Sequence, residues 1–166
     1  MQPDPDELAG VVDLFGALTR EELRSAFGDL AARSGDGFDP DAFDAAVDDA
    51  LDGYYLVAVG EGVDDGTEGA DAEDQESELI AGGPTALPRL PEGGEDLPHL
   101  VDVEGRTVDR EALGRAAHAR LRGDAARAVN DGDEARIATL LDVCYDLETW
   151  APVETAELRD QLDAAL

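Results

Sequence analysis

The strongest local signal in this chain is the start of a helix at residue 40. Asp39 is suited to accept hydrogen bonds from the first free backbone N–H groups, and Pro40 fits the first helical position. Phe38 and Phe43 flank the cap with the spacing of a hydrophobic staple, and Gly53 is placed to end the helix. Such a helix must bury one face, so the sequence predicts a packed core against the apolar stripe that begins at Phe43.

Other elements are predicted on either side of this helix. Residues 7–18 place their apolar side chains on one helical face, and Thr19 with Glu22 has the pattern of a capping box that starts a second helix. Residues 54–59 are rich in aromatic and β-branched side chains and predict a strand. Residues 79–81 are interpreted as a returning strand, which makes a β-hairpin.

The order of these elements is that of a helix-turn-helix running into a wing, and it looks like the winged-helix domains of archaeal regulators. We therefore predict a winged-helix-like unit over residues 1–83. Its residues 60–78 hold nine acids and no base, which predicts a disordered acidic insert. A Pro-rich connector is predicted over 84–108 and a helical unit over 109–166. The predicted fold class is mainly α with a small β-hairpin, a winged-helix-like N-terminal unit followed by a C-terminal helical unit.

The C-terminal part is predicted in more detail from its caps and periodicity. A short strand is predicted at 100–103, and Asp109 is placed to cap a long helix. Gly123 and Asp124 predict a break or kink in that helix. Two helices follow, and their inward-facing side chains are predicted to be Ile137, Leu140, Leu141, Cys144, Tyr145, Leu158, Leu162 and Leu166.

Charge sets the conditions under which the chain folds. It has 41 acids against 12 bases, a formal charge of −29, and every base is arginine. Acidic excess of this kind is found in proteins of halophiles. Salt at molar concentration shortens the Debye length to about 3 Å, so the repulsion between the acids is screened. We therefore expect a salt-adapted, cytoplasmic protein with no signal peptide and no membrane span. The same charge disfavours nucleic acid and anionic membranes as partners.

The helix that would read a DNA groove carries acids on its outward positions. No arginine is expected to offset them, so direct DNA reading is disfavoured. DNA binding by the helix-turn-helix remains the alternative function. The outward acids are Asp41, Asp44, Asp48, Asp49 and Asp52.

A candidate partner-binding stripe lies on the long C-terminal helix. Arg115, His118 and Arg122 fall at i, i+3 and i+7, on one face of that helix. The stripe is suited to an acidic partner or a phosphate, and it is also explained by pairing within the chain or by solvation. Arg120 lies on the apolar side and is expected to form a structural ion pair with a carboxylate.

Patterns for catalysis or metal binding are not found. His99, His118 and Cys144 do not have the spacing of metal ligands, and Cys144 is expected to be a small core side chain. We predict no catalytic residues, no metal and no cofactor. The leading hypothesis is a non-enzymatic regulatory or adaptor module that binds an unidentified protein. A small enzyme with an unrecognised site is the third alternative, and the sequence leaves the oligomeric state open.

Three segments carry a family resemblance. They are DELAGVVDLFGALT at 6–19, LPEGGEDLPH at 90–99 and LDVCYDLETWAP at 141–152. They are similar to a group of short, uncharacterised haloarchaeal proteins, and the resemblance spans nearly the whole chain except the acidic insert. It implies a domain of unknown function in salt-loving archaea, with no established activity to carry over.

Overall fold

The structure is a computed structural model that describes residues 1–60 and 78–166. The chain divides into two compact units, Met1–Val108 and Asp109–Leu166. It is mainly α-helical with a small antiparallel sheet, which confirms that part of the predicted fold class. The disordered insert predicted at 60–78 lies outside the described residues, apart from its end residues Gly60 and Glu78.

The described part of the first unit contains four α-helices, three strands and one 3₁₀ turn. The helices are α1, Pro5–Phe15, α2, Arg20–Ser34, α3, Pro40–Asp52, and α4, Leu97–Leu100. The strands are β1, Leu18–Thr19, β2, Leu56–Val59, and β3, Leu79–Gly82. The 3₁₀ turn is Gly94–Asp96.

The predicted starts of α2 and α3 are confirmed. The Thr19 hydroxyl accepts a hydrogen bond from the Glu22 backbone N–H, and the Glu22 carboxylate accepts one from the Thr19 N–H. The Asp39 carboxylate accepts hydrogen bonds from two N–H groups in the first turn of α3. The ring centroids of Phe38 and Phe43 lie 5.6 Å apart, so the staple also forms. Each cap satisfies backbone donors that the helix itself leaves unpaired.

The three strands form one antiparallel sheet in the order β1-β3-β2. Leu79 pairs with Thr19 on one side and with Val59 on the other, which confirms the predicted returning strand. Strand β1 was not predicted, because two residues are too few to show an alternating pattern.

Strand β2 begins at Leu56, so its predicted start at Tyr54 is wrong by two residues. The Tyr55 N–H donates to the Ala50 carbonyl at 2.9 Å, and the chain is therefore still leaving α3 at this point. Tyr54 has a φ of 62° and takes the left-handed conformation, while Gly53 keeps a φ of −87°. Helix α3 thus ends at Asp52 with Gly53 as its C-cap, as predicted, but the left-handed residue is Tyr54, whose side chain is fully buried.

Residues 84–106, here called the strap, belong to the first unit. Their backbone contacts both ends of α1. The Arg89 N–H donates to a carbonyl in the first turn of α1 at 3.1 Å, and the Arg106 N–H donates to its last residue at 2.7 Å. A Cβ added at Gly10 would lie 2.0 Å from the Arg89 carbonyl oxygen, and one at Gly16 would lie 1.8 Å from that of Arg106. Two glycines therefore allow the strap backbone to approach α1 closely.

The short strand predicted at 100–103 is wrong. Helix α4 ends at Leu100, and the next residues form no regular secondary structure. Leu97 is fully buried, and Val101 and Val103 pack against the core of the first unit. Their apolar character comes from this packing and not from strand pairing.

Three helices form the second unit: α5, Arg110–Asp131, α6, Glu134–Trp150, and α7, Ala156–Ala164. The predicted break at Gly123 and Asp124 is wrong, because α5 runs through both. Two predicted inward side chains are also wrong, since Tyr145 is 53% exposed and Leu166 is 58% exposed. Leu166 lies beyond the end of α7, where helical periodicity no longer applies. Among the described helices, none combines the length and apolar character that a membrane crossing requires.

Candidate functional site

The predicted stripe of Arg115, His118 and Arg122 lies on α5. Arg115 and Arg122 are exposed, and His118 is half-buried. Arg115 Nη1 lies 3.1 Å from Glu111 Oε1, and both side chains are more than 60% exposed. Such a pair contributes little to stability, so Arg115 is best described as part of a solvated face.

The other two stripe residues line a cleft between α5 and α7. His118 and Arg122 form its α5 wall, and Glu154, Glu157 and Gln161 lie on the opposite side. The cleft has a volume of about 430 Å³. It is polar and carries groups of both charge signs, so an occupant must match a cation on one wall and carboxylates on the other.

A second cleft of about 550 Å³ continues along the same two helices. It shares Gln161 with the first cleft and is otherwise lined by small or apolar side chains and one amide. We call the two together the α5–α7 groove. The lining of the second cleft is Ala125, Ala126, Val129, Asn130, Gln161 and Ala164.

The α7 wall of this groove was missed at the sequence level. The sequence predicted the buried stripe of α7, and Leu158 and Leu162 are indeed buried. Glu157 and Gln161 each lie one position before a buried leucine, so they border the stripe. Their position beside the buried stripe could have been recognised from the sequence, but the sequence does not show which helix lies opposite them.

Two arginines, Arg122 and Arg33, differ from the others. Ten of the twelve contact a carboxylate or an aromatic ring. Within residues 1–60 and 78–166, Arg122 and Arg33 form no ion pair or side-chain hydrogen bond. Arg33 lines a separate cleft of about 400 Å³ in the first unit, whereas Arg122 lines the α5–α7 groove.

The acidic face of α3 differs from the expectation in one respect. Arg24 forms a two-nitrogen contact with Asp44, through Nε at 3.2 Å and Nη2 at 2.8 Å. Arg20 Nη2 lies 2.7 Å from Asp48 Oδ1. The expectation that no arginine offsets these acids is therefore wrong, because α2 supplies both cations. The acids Asp41, Asp49 and Asp52 remain exposed on α3.

Comparison with known proteins places the chain in a family. A family model described as a family of unknown function, DUF7109, matches residues 6–166. The chain belongs to the DUF7109 family. No curated protein and no solved structure matches it.

One carboxylate of this DUF7109 chain is shared by three arginines. Asp124 is 9% exposed, and Arg120 and Arg127 reach it from α5. Arg136 Nη2 of α6 lies 3.7 Å from Asp124 Oδ2, and Arg120 Nε lies 3.6 Å from the same oxygen. The carboxylate partner predicted for Arg120 is thus confirmed as Asp124. The cluster ties α5 to α6 and also explains why Asp124 does not break the helix.

Cys144 of the DUF7109 chain is buried, as predicted for a core side chain. Burial raises the pKa of its thiol to about 11, so the reactive thiolate is scarce at neutral pH. The neighbouring Glu148 carboxylate accepts hydrogen bonds from the Thr155 N–H and hydroxyl, both at 2.8 Å. These bonds lower the pKa of Glu148, and Arg159 Nη2 lies 3.3 Å from the same oxygen. This polar cluster fixes the start of α7.

Among residues 1–60 and 78–166, no group of three or more His, Cys, Asp or Glu side chains converges in a way that could hold a metal ion. The α5–α7 groove joins a polar cleft lined by Arg122 to an apolar cleft, and this arrangement is suited to bind another molecule.

Proposed function

We propose that this DUF7109 chain is a non-enzymatic regulatory or adaptor module that acts through protein–protein contacts. We place it in the salt-rich cytoplasm of a haloarchaeal cell, where its charge of −29 is screened. The N-terminal unit is proposed to be winged-helix-like. The order α1, β1, α2, α3, β2, β3 and the sheet order β1-β3-β2 support this, since they are those of a helix-turn-helix followed by a hairpin.

The acidic face of α3 is the observation that carries the proposal. In a helix-turn-helix, this helix enters the major groove and must face phosphates. Here Asp41, Asp49 and Asp52 are exposed, and the two nearby arginines are already paired with Asp44 and Asp48. Because cations facing phosphates dominate affinity for DNA, the face favours a protein partner.

DNA binding remains a second candidate, because the element order of the first unit favours it. Arg20 and Arg24 would have to leave their carboxylates to reach phosphates. If the acids on α3 are what prevents DNA binding, the variant Asp41→Arg with Asp49→Arg should gain DNA affinity relative to the natural chain.

Two measurements test the proposed function. In-cell protein cross-linking of the tagged full chain, followed by mass spectrometry, should recover the same protein partner in repeated experiments. Fluorescence anisotropy with duplex DNA, from about 0.2 to 2 M KCl, should show no saturable binding. Saturable DNA binding by the natural chain at high salt, without a reproducible protein partner, would favour the regulator that reads DNA.

A further inference from the structure

We propose that the α5–α7 groove receives one amphipathic helix of a partner protein, with an apolar ridge and a carboxylate about two turns away from it. This inference rests on the proposed function as a protein-binding module, and it names the surface and the chemistry of the partner.

The apolar half of the groove is suited to the apolar ridge of the partner helix. None of its six lining side chains is charged, although 32% of the chain is charged. Val129 is 42% exposed at this site, so an apolar occupant would remove it from water. The alanines Ala125, Ala126 and Ala164 leave room for a helix to approach closely.

The polar half of the groove is suited to the carboxylate of the partner helix. Arg122 lines it without an ion-pair partner among the described residues, and a guanidinium is suited to bind a carboxylate through two nitrogens. Glu154 and Glu157 line the opposite wall and repel acids there. The partner carboxylate must therefore face α5, while its neighbours that face α7 must be neutral or basic.

The spacing between these halves sets the register of the occupant. Arg122 and Val129 are seven residues apart on α5, which is two helical turns and about 10.5 Å. A helix lying along the groove meets both when an acid and an apolar residue are also separated by seven positions. A second copy of this chain is disfavoured as the occupant, because it would bring a further charge of −29 and be repelled.

The probe for the test is a synthetic, fluorescein-labelled peptide of about 18 residues that forms an amphipathic helix. It carries two leucines one turn apart and a glutamate seven positions from the first. A matched peptide carries arginine in place of that glutamate. Binding to the full chain is measured by anisotropy in about 1 M KCl, where only close charge pairs still act.

We expect saturable binding of the glutamate peptide to the natural chain. Val129→Asp should weaken it at least about tenfold, because a charge would enter the apolar half. Arg122→Glu should weaken it by about five- to tenfold, and the arginine peptide should restore binding to Arg122→Glu. Arg33→Glu is the matched control, since Arg33 is also unpaired among the described residues but lies in the other unit.

Circular dichroism of each variant separates lost binding from lost folding, and both substituted side chains are exposed. The proposal is overturned if the natural chain shows no saturable binding, if Val129→Asp binds equally well, or if the peptide charge has no effect. Sedimentation that shows a dimer dissolved by Val129→Asp would overturn the stated occupant in favour of a second copy. A reproducible cross-linked partner together with a failed peptide test would leave the proposed function standing and reject the groove.

Discussion

Glu22 and Arg106 form a two-point ion pair, with Nη1 at 2.7 Å from Oε2 and Nη2 at 2.9 Å from Oε1. The same carboxylate closes the capping box of α2 by accepting from the Thr19 N–H. Arg106 also donates to the Ala17 carbonyl at 3.0 Å. One pair therefore connects the end of the strap to the start of α2.

Arg106→Ala should destabilise the protein, because it leaves a partly buried carboxylate without its main partner. We expect a loss of about 1.5–3 kcal/mol in the free energy of unfolding. Arg106→Lys should recover only part of it, since an ammonium cannot reproduce the two parallel contacts. Denaturant unfolding at one high salt concentration measures both. The control is Arg89→Ala, whose side chain is 60% exposed, and a loss as large as that of Arg106→Ala would contradict the assignment.

Glu22 also predicts a pH dependence. The hydrogen bond from Arg106 holds the pKa of Glu22 below its ordinary value of 4.5. A lowered folded-state pKa gives stability that is present above the ordinary pKa and lost as pH falls through the folded-state pKa. The difference in unfolding free energy between the natural chain and Glu22→Gln should therefore be constant above about pH 6 and shrink below about pH 4.5. A difference for Glu22→Gln that stays constant down to about pH 2 would refute the linkage.

The strap makes opposite predictions for two mid-helix glycines. Gly10→Ala should destabilise by about 1–3 kcal/mol, because the new Cβ would meet the Arg89 carbonyl oxygen. Gly28→Ala should stabilise by about 0.5–1 kcal/mol, since its nearest neighbour would be the Phe38 ring at 4.0 Å. Thermal melts of the two variants test this difference in sign. An equal rise in melting temperature for both variants would show that the strap backbone can move away from α1 at little cost.

Helix α3 predicts a graded series. Phe43→Ala should cost about 3–5 kcal/mol, since Phe43 is buried against Phe27. Asp44→Ala should cost about 0.5–1.5 kcal/mol through the loss of its two-nitrogen contact with Arg24. Asp48→Ala should change stability by less than about 0.5 kcal/mol, because Asp48 is 66% exposed. Denaturant unfolding at one salt concentration ranks the three, and an Asp48 effect equal to that of Phe43 would mean the faces are wrongly assigned.

Salt should govern folding of the whole chain. At about 0.1 M KCl the −29 charge is poorly screened, so we expect lower helicity and a lower melting temperature than in multi-molar KCl. Far-UV circular dichroism at both concentrations measures this. Equal helicity and equal melting temperature would exclude salt-dependent folding.

Local features of the fold were predictable, because a cap or a staple involves residues close together in sequence. Asp39, Thr19 and Phe43 act as their spacing indicated. The strap was predicted only as a Pro-rich connector, and its specific contacts were not predicted, because they join positions as distant as Glu22 and Arg106. Tyr54 was assigned to a strand because its β propensity is high, whereas burial of its ring stabilises a left-handed conformation.

The candidate site was only half predictable for the same reason. Periodicity placed His118 and Arg122 on one face of α5, which is a local statement. The opposite wall at Glu157 and Gln161 depends on how α7 packs, and that is tertiary information. The pairing of Arg24 with Asp44 likewise needed the packing of α2 on α3.

The position of the strap has a consequence during protein synthesis. When residue 83 has been added, β1, β2 and β3 have all been made, but Leu97 and Arg106 have not. The core of the first unit then lacks a fully buried leucine, and α1 lacks the backbone that covers it. At about 5–20 residues per second, the ribosome needs roughly another one to five seconds to reach Arg106. We therefore expect the nascent chain to expose apolar surface of the first unit until the strap has left the ribosome.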